Sequence, residues 1–204
     1  MTTTAARRPS RRLAKIVSLI AIPAAVAVSG LVVAQASYSA YSATTVNPTN
    51  NWATGTVALS DDDTNTAAFT AANLKPGATG TKCIVVTSTG SLASTVKLYA
   101  TTPTSTKDLA SNINLTVTQG SGGSFGSCTG YTPLPTGANL YTGTLAAFGS
   151  AYTGYNTGLG SWAPTGTGTE SRTYQISYTV AGNAPDTTQG GTASLGLTFE
   201  AQNS

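Results

Sequence analysis

The chain has 204 residues, no histidine and only 8% charged side chains, so Thr, Ser, Gly and Asn carry its polarity, and its mean hydropathy is near zero. The formal charge of +3 is concentrated in the first 15 residues, which hold five of the ten bases; beyond them five bases face seven acids. That balance excludes the clustered Lys/Arg footprint of a nucleic-acid partner, and the lack of His excludes zinc-protease and Ser–His hydrolase chemistry.

Residues 1–36 read as a signal peptide. Arg7, Arg8, Arg11, Arg12 and Lys15 form a basic start, an apolar run extends from Ile16 to Ala34, and Ala34-Gln35-Ala36 is an A-x-A cleavage site. The alternative is a retained membrane anchor, since the run is just long enough to span a bilayer. The chain would otherwise meet a membrane only through this leader, before cleavage. Residues 37–51 are polar and extended in character, broken by Pro48.

Residues 52–204 carry the period-2 alternation of half-buried strands. Strands are expected at 56–59, around 67–69, at 83–86, 95–100, 112–119, 140–148, 173–180 and 193–200. Ala193, Leu195, Leu197 and Phe199 share one face, as do Tyr174, Ile176, Tyr178 and Val180, and Ile113, Leu115 and Val117. The run 83–86 is continuously apolar and reads as a central strand. No long helical period follows residue 37. The pattern predicts an all-β fold, a jelly-roll-like β-sandwich of about eight strands. Residues 120–168, rich in Gly, Thr and Tyr, are expected to form long loops at one end with a single strand among them.

Few residues offer chemistry. Cys83 and Cys128 are the only cysteines; in an exported domain an even count predicts a disulfide, here tethering the start of the loop region, the alternative being two buried free thiols. Gly122-Gly123-Ser124-Phe125-Gly126 matches G-x-S-x-G, but it lies in a Gly/Ser run and lacks a His base. Asp61, Asp62 and Asp63 are the one dense charge cluster: either a solvated turn or a weak calcium site. No other cofactor is expected. Tyr131, Tyr141, Tyr152, Tyr155 and Trp162 either pin the loops or form a surface that stacks on sugars or protein. The segment from residue 37 to about 47, with Tyr38 and Tyr41, has no charge and no Pro, so it either adds as a strand to a sheet edge or is a flexible tether left over from export.

Several motifs occur in order: Tyr41-Ser42-Ala43-Thr44, Asn51-Trp52-Ala53-Thr54-Gly55-Thr56-Val57-Ala58-Leu59, Leu74-Lys75-Pro76-Gly77 and Thr89-Gly90-Ser91-Leu92. Following a long leader, this set resembles the TasA/camelysin family of secreted proteins, in its actinobacterial form, over roughly residues 16–118 and the last two strands. The resemblance implies a jelly roll, export, and assembly into extracellular fibres of a biofilm matrix or cell surface. The metallopeptidase label given to some members does not carry over to a chain without His. The cysteine pair and the long Gly/Thr/Tyr segment depart from the family pattern. The expectation is a secreted structural subunit, not an enzyme, which associates with itself or with other matrix proteins. The alternative is a module that binds a polysaccharide through its Tyr/Trp-rich loops.

Overall fold

A computed structural model describes residues 42–46, 49–50 and 57–203. The chain divides into two units, Met1–Ala40 and Tyr41–Ser204, and the described residues belong to the second. The leader, its cleavage site, Tyr38 and Tyr41 lie outside them.

The strands, in chain order, are β1 (Ser42–Val46), β2 (Thr49–Asn50), β3 (Leu59–Asp61), β4 (Thr79–Ser88), β5 (Ser94–Ser105), β6 (Ile113–Ser121), β7 (Thr132–Pro133), β8 (Asn139–Thr144), β9 (Leu159–Trp162), β10 (Glu170–Val180) and β11 (Ala193–Asn203). Helix α1 covers Leu145–Ala151. One sheet has the order β2-β1-β11-β5-β9; the other has β3-β4-β10-β6-β7, with β8 also on β6.

Nested antiparallel pairs explain this order. β1 pairs with β11, β4 with β10, β5 with β9 and β6 with β8, like the rungs of one long hairpin. Successive rungs alternate between the sheets, and β11–β5 and β10–β6 contacts join them into two layers. A long hairpin rolled up in this way is a jelly roll, so the fold expected from the sequence is the one observed. Three short strands, β2, β3 and β7, extend the eight of the roll.

Alternation decides what is buried, because neighbouring side chains on a strand face opposite ways. Val96, Leu98, Val117, Tyr174, Ile176 and Phe199 meet between the sheets, all essentially inaccessible. The Tyr174 and Phe199 rings lie 4.7 Å apart across the layers. The outward positions carry hydroxyls that pair across strands: Thr81 with Ser177 and Thr87 with Ser171, each at 3.0 Å, and Thr104 with Ser194 at 2.7 Å. A chain poor in charge thus builds its outer faces from neutral cross-strand pairs.

Three expectations are corrected. Residues 67–69 form no strand; they lie in the irregular connection between β3 and β4, where Thr64, Asn65 and Asn73 adopt positive φ. The 140–148 segment is a strand only to Thr144. There the Thr144 hydroxyl accepts from the Ala147 N–H at 3.1 Å and starts α1, a cap that suits Thr. Region 120–168 is more regular than predicted, holding β7, β8, α1 and β9. Its glycines hide the strand period. Gly160, at φ +88°, sits where the register of β9 on β5 shifts, a conformation that L side chains rarely adopt.

Candidate functional site

Cys83 and Cys128 are bonded, with Cα atoms 5.2 Å apart. Cys83 alternates with the core residues Ile84 and Val86 and so faces away from the core. β6 and β4 are separated by β10, so the chain after Ser121 must cross β10 to reach Cys83. There the Gly126 N–H donates to the Cys83 carbonyl and Lys82 Nζ to the Gly126 carbonyl, both at 3.2 Å. The G-x-S-x-G match is this crossing: a glycine turn closed by Ser124 N–H donating to the Ser127 carbonyl at 2.8 Å, with no helix after it.

The three aspartates point at different partners. Asp62 accepts from the Val85 N–H at 2.8 Å and, through its other oxygen, from the Phe125 N–H at 2.6 Å. It thereby ties β4 to the crossing loop. Asp63, 2% exposed, accepts from the Asn65 N–H at 2.8 Å and shapes the turn after β3. Burial, followed by the hydrogen bond and charge of Asp63, raises the Asp61 carboxyl to about 7. Among the described residues, no group of three His, Cys, Asp or Glu side chains is arranged to hold a metal ion.

The loop aromatics have separate tasks. Tyr141, Phe148 and Tyr152 form a cluster with centroids 5.1 to 5.6 Å apart, and the Tyr141 hydroxyl donates to the Thr144 carbonyl at 2.7 Å. The Tyr155 hydroxyl donates to the Thr95 carbonyl at 3.0 Å, and the Tyr131 hydroxyl bonds Thr118 at 2.9 Å. These contacts pin α1 and the loops onto the sandwich. Of these loop aromatics, Trp162 lines an opening.

Among the described residues, openings lie at opposite ends of the space between the sheets. One is an apolar cavity of about 420 Å³ lined by Ile113, Leu115, Ile176, Tyr178, Leu195 and Leu197, with the connection through Phe69 as its wall. Phe69 stands edge-on to Tyr178 at 5.1 Å. The other, of about 670 Å³, is lined by polar groups: Gln119 at the end of β6, Glu170 and Arg172 at the start of β10, Ser161 and Trp162 on β9, and the 134–140 segment.

Gln119 organises the polar end. Its backbone N–H donates to the Ala138 carbonyl at 2.7 Å, its carbonyl accepts from the Leu134 N–H at 3.1 Å, and its Nε2 donates to the Gly137 carbonyl at 2.9 Å. The following Gly120 leaves room for the returning chain, since a Cβ there would meet the Thr132 carbonyl oxygen at 2.1 Å. The Arg172 guanidinium lies over the buried Trp162 ring, 5.8 Å from its centroid, an attractive placement for a cation. Glu170 accepts from both the Thr165 hydroxyl and N–H, which hold its carboxyl below its ordinary value. Gln119 and Arg172 carried no signal in the sequence as site residues. A polar residue in line with inward apolar ones would have been the mark to look for.

Among the described residues, no helix is long and apolar enough to cross a membrane. No protein-family model matches the chain, and no curated protein sequence matches it.

Proposed function

We propose that this chain is an exported, non-catalytic structural subunit of an extracellular matrix or cell surface, of the TasA/camelysin type, which joins copies of itself by exchanging its N-terminal strand. The reading rests on the ordered sequence motifs and the leader, and one observation carries the exchange. β1 pairs with β11 over five residues, from Ser42 opposite Gln202 to Val46 opposite Thr198. Such a ladder consists of main-chain hydrogen bonds, each contributing about 1 kcal/mol net. The same segment from a second copy would make the same ladder. Exchange therefore costs association entropy but sacrifices no contact type, which is the general route to swapped assemblies. Cleavage after Ala36 would leave the segment from Ser37 onwards free to reach a neighbour.

The register supplies the test. Ala43 lies opposite Ala201, so cysteines at both positions trap whichever partner β1 holds. In protein from cell-surface material, Ala43→Cys with Ala201→Cys should give a ladder of disulfide-linked multimers on a non-reducing gel. Monomers alone, from material that electron microscopy shows to be polymeric, would remove strand exchange from the account.

A further inference from the structure

We propose that the apolar cavity between the sheets is a binding site for a small uncharged hydrophobic molecule, held by inward side chains of β10 and β11 that the core leaves uncovered. This goes beyond the structural role and does not depend on strand exchange.

The inward rows change in burial along their length. On β11, Ala201 and Phe199 are 0% and 2% exposed, whereas Leu197 and Leu195, the next two inward residues, are only partly buried. On β10, Tyr174 and Ile176 are each 1% exposed, and Tyr178 beyond them is partly exposed. Leu195, Leu197 and Tyr178 all line the cavity of about 420 Å³, so its surface is within reach of solvent and of a ligand. Protein interiors hold few voids larger than a water molecule. A water placed there needs about two to four polar partners, which Leu, Ile and Phe side chains do not offer. A space of this size falls within the range of small-ligand sites.

The walls hold the space open. β1 pairs with β11 from Thr198 onwards; among the described residues, 193–197 has no strand on that side. The β3–β4 connection supplies the wall instead, and it is pinned near both ends. The Asn65 N–H donates to Asp63 Oδ1 at 2.8 Å and the Thr66 N–H to the Asp63 carbonyl at 2.9 Å, while the Gly77 N–H donates to the Val180 carbonyl at 3.0 Å. Between these points the connection lends Phe69 and Leu74 to the lining without closing over it.

Charge narrows the ligand. Among the described residues that line the cavity, Asp63 alone carries charge, with no Lys or Arg to offset it, so a carboxylate or phosphate is repelled. A cation would have to shed its water among apolar side chains, beside a carboxylate that already accepts from Asn65. The hydroxyls of a sugar would lose their water partners against the same walls. An uncharged hydrocarbon body has none of these costs, and its transfer out of water onto Leu, Ile and Phe surface is favourable.

Nile red, an uncharged dye that brightens in apolar surroundings, would be titrated into the exported protein at pH 8. It would then be displaced with octanol or with octanoate, which share a chain length and differ in charge. The expected result is saturable dye binding, displaced by octanol at a Kd of roughly 0.1 mM and by octanoate at least tenfold more weakly. Leu197→Trp, which fills the cavity, should abolish dye binding without lowering the melting temperature. Ala71→Trp, at an exposed position of the wall, should weaken binding tenfold or more even if Leu197→Trp folds poorly. The proposal is overturned if the dye does not bind saturably, as when a second copy or another part of the chain fills the cavity. It is equally overturned if octanoate competes as well as octanol, or if both tryptophan variants bind as the parent does.

Discussion

Along β10 the inward side chains run Val180, Tyr178, Ile176, Tyr174, Arg172, Glu170; along β6 they run Ile113, Leu115, Val117, Gln119. At one end of these rows the sheets enclose an apolar cavity, and at the other an amide, a guanidinium and a carboxylate. The strands and their period are the same throughout, and only the chemistry of the inward positions changes. The apolar end can be left partly empty at the cost of lost van der Waals contacts. The polar end cannot be left dry without a penalty for each unpaired atom. An inward row that turns from apolar to polar therefore marks where a core ends and a site can begin.

Cutting the Cys83–Cys128 link should have the largest effect on this contrast. The bond closes a loop with a sequence separation of 45, and the chain returns from that loop to build the wall of the polar end. Replacing both cysteines by Ala should lower stability by about 4 kcal/mol in the chain-entropy account, read from the urea midpoint. Amide exchange should quicken more at 134–139 than at 195–199. A uniform change would mean that the disulfide does not favour the polar end.

Next in size is a direct comparison of the rows. Ile176→Ala, at a core position 1% exposed that also lines the apolar cavity, should cost about 3 kcal/mol. Gln119→Met should change stability by no more than about 1 kcal/mol, because the lost bond to Gly137 is offset by removal of an unmet acceptor. Equal losses in urea unfolding would show that the polar end supports the fold as the apolar end does.

The smallest effect is a pH dependence beside the apolar end, whose cavity Asp63 lines. Asp61 titrates near 7 when folded, against 3.8 for the free group, so between those values the folded state holds a proton that the unfolded state has released. Its contribution to stability is complete below about pH 4 and is lost as pH rises through 7. Wild-type protein should therefore melt lower at pH 8 than at pH 5, with this step reduced in Asp61→Asn. An unchanged step would place the titration elsewhere.

Much of the fold was legible because strand burial follows a period of two. The faces of β6, β10 and β11 could be assigned from Ile113, Tyr174 and Phe199 and their neighbours, and the cysteine pair from count and context. Residues 67–69 misled because three residues cannot establish a period, and Phe69 serves as a wall from irregular backbone. The site was barely legible. Trp162 stood out as an aromatic, but Gln119 and Arg172 are ordinary residues in strand sequences, and Asp62 reads as part of a solvated turn or a weak calcium site.

By itself the sequence determined the alternation, and with it the all-β class, the neutral hydroxyl surface and the cysteines available to pair. These depend on residue type and spacing, which are local. The tertiary structure decided the nesting of β1 with β11 through β6 with β8, which brings residues 42 and 202 side by side. It also sent both Asp62 oxygens to backbone N–H groups of β4 and the crossing loop. Finally, it set Gln119, Arg172 and Trp162 around one opening, each from a different strand. Hydrogen-bond satisfaction is a property of neighbours in space, so an unmet acceptor at Gln119 becomes visible only after the two sheets are laid together.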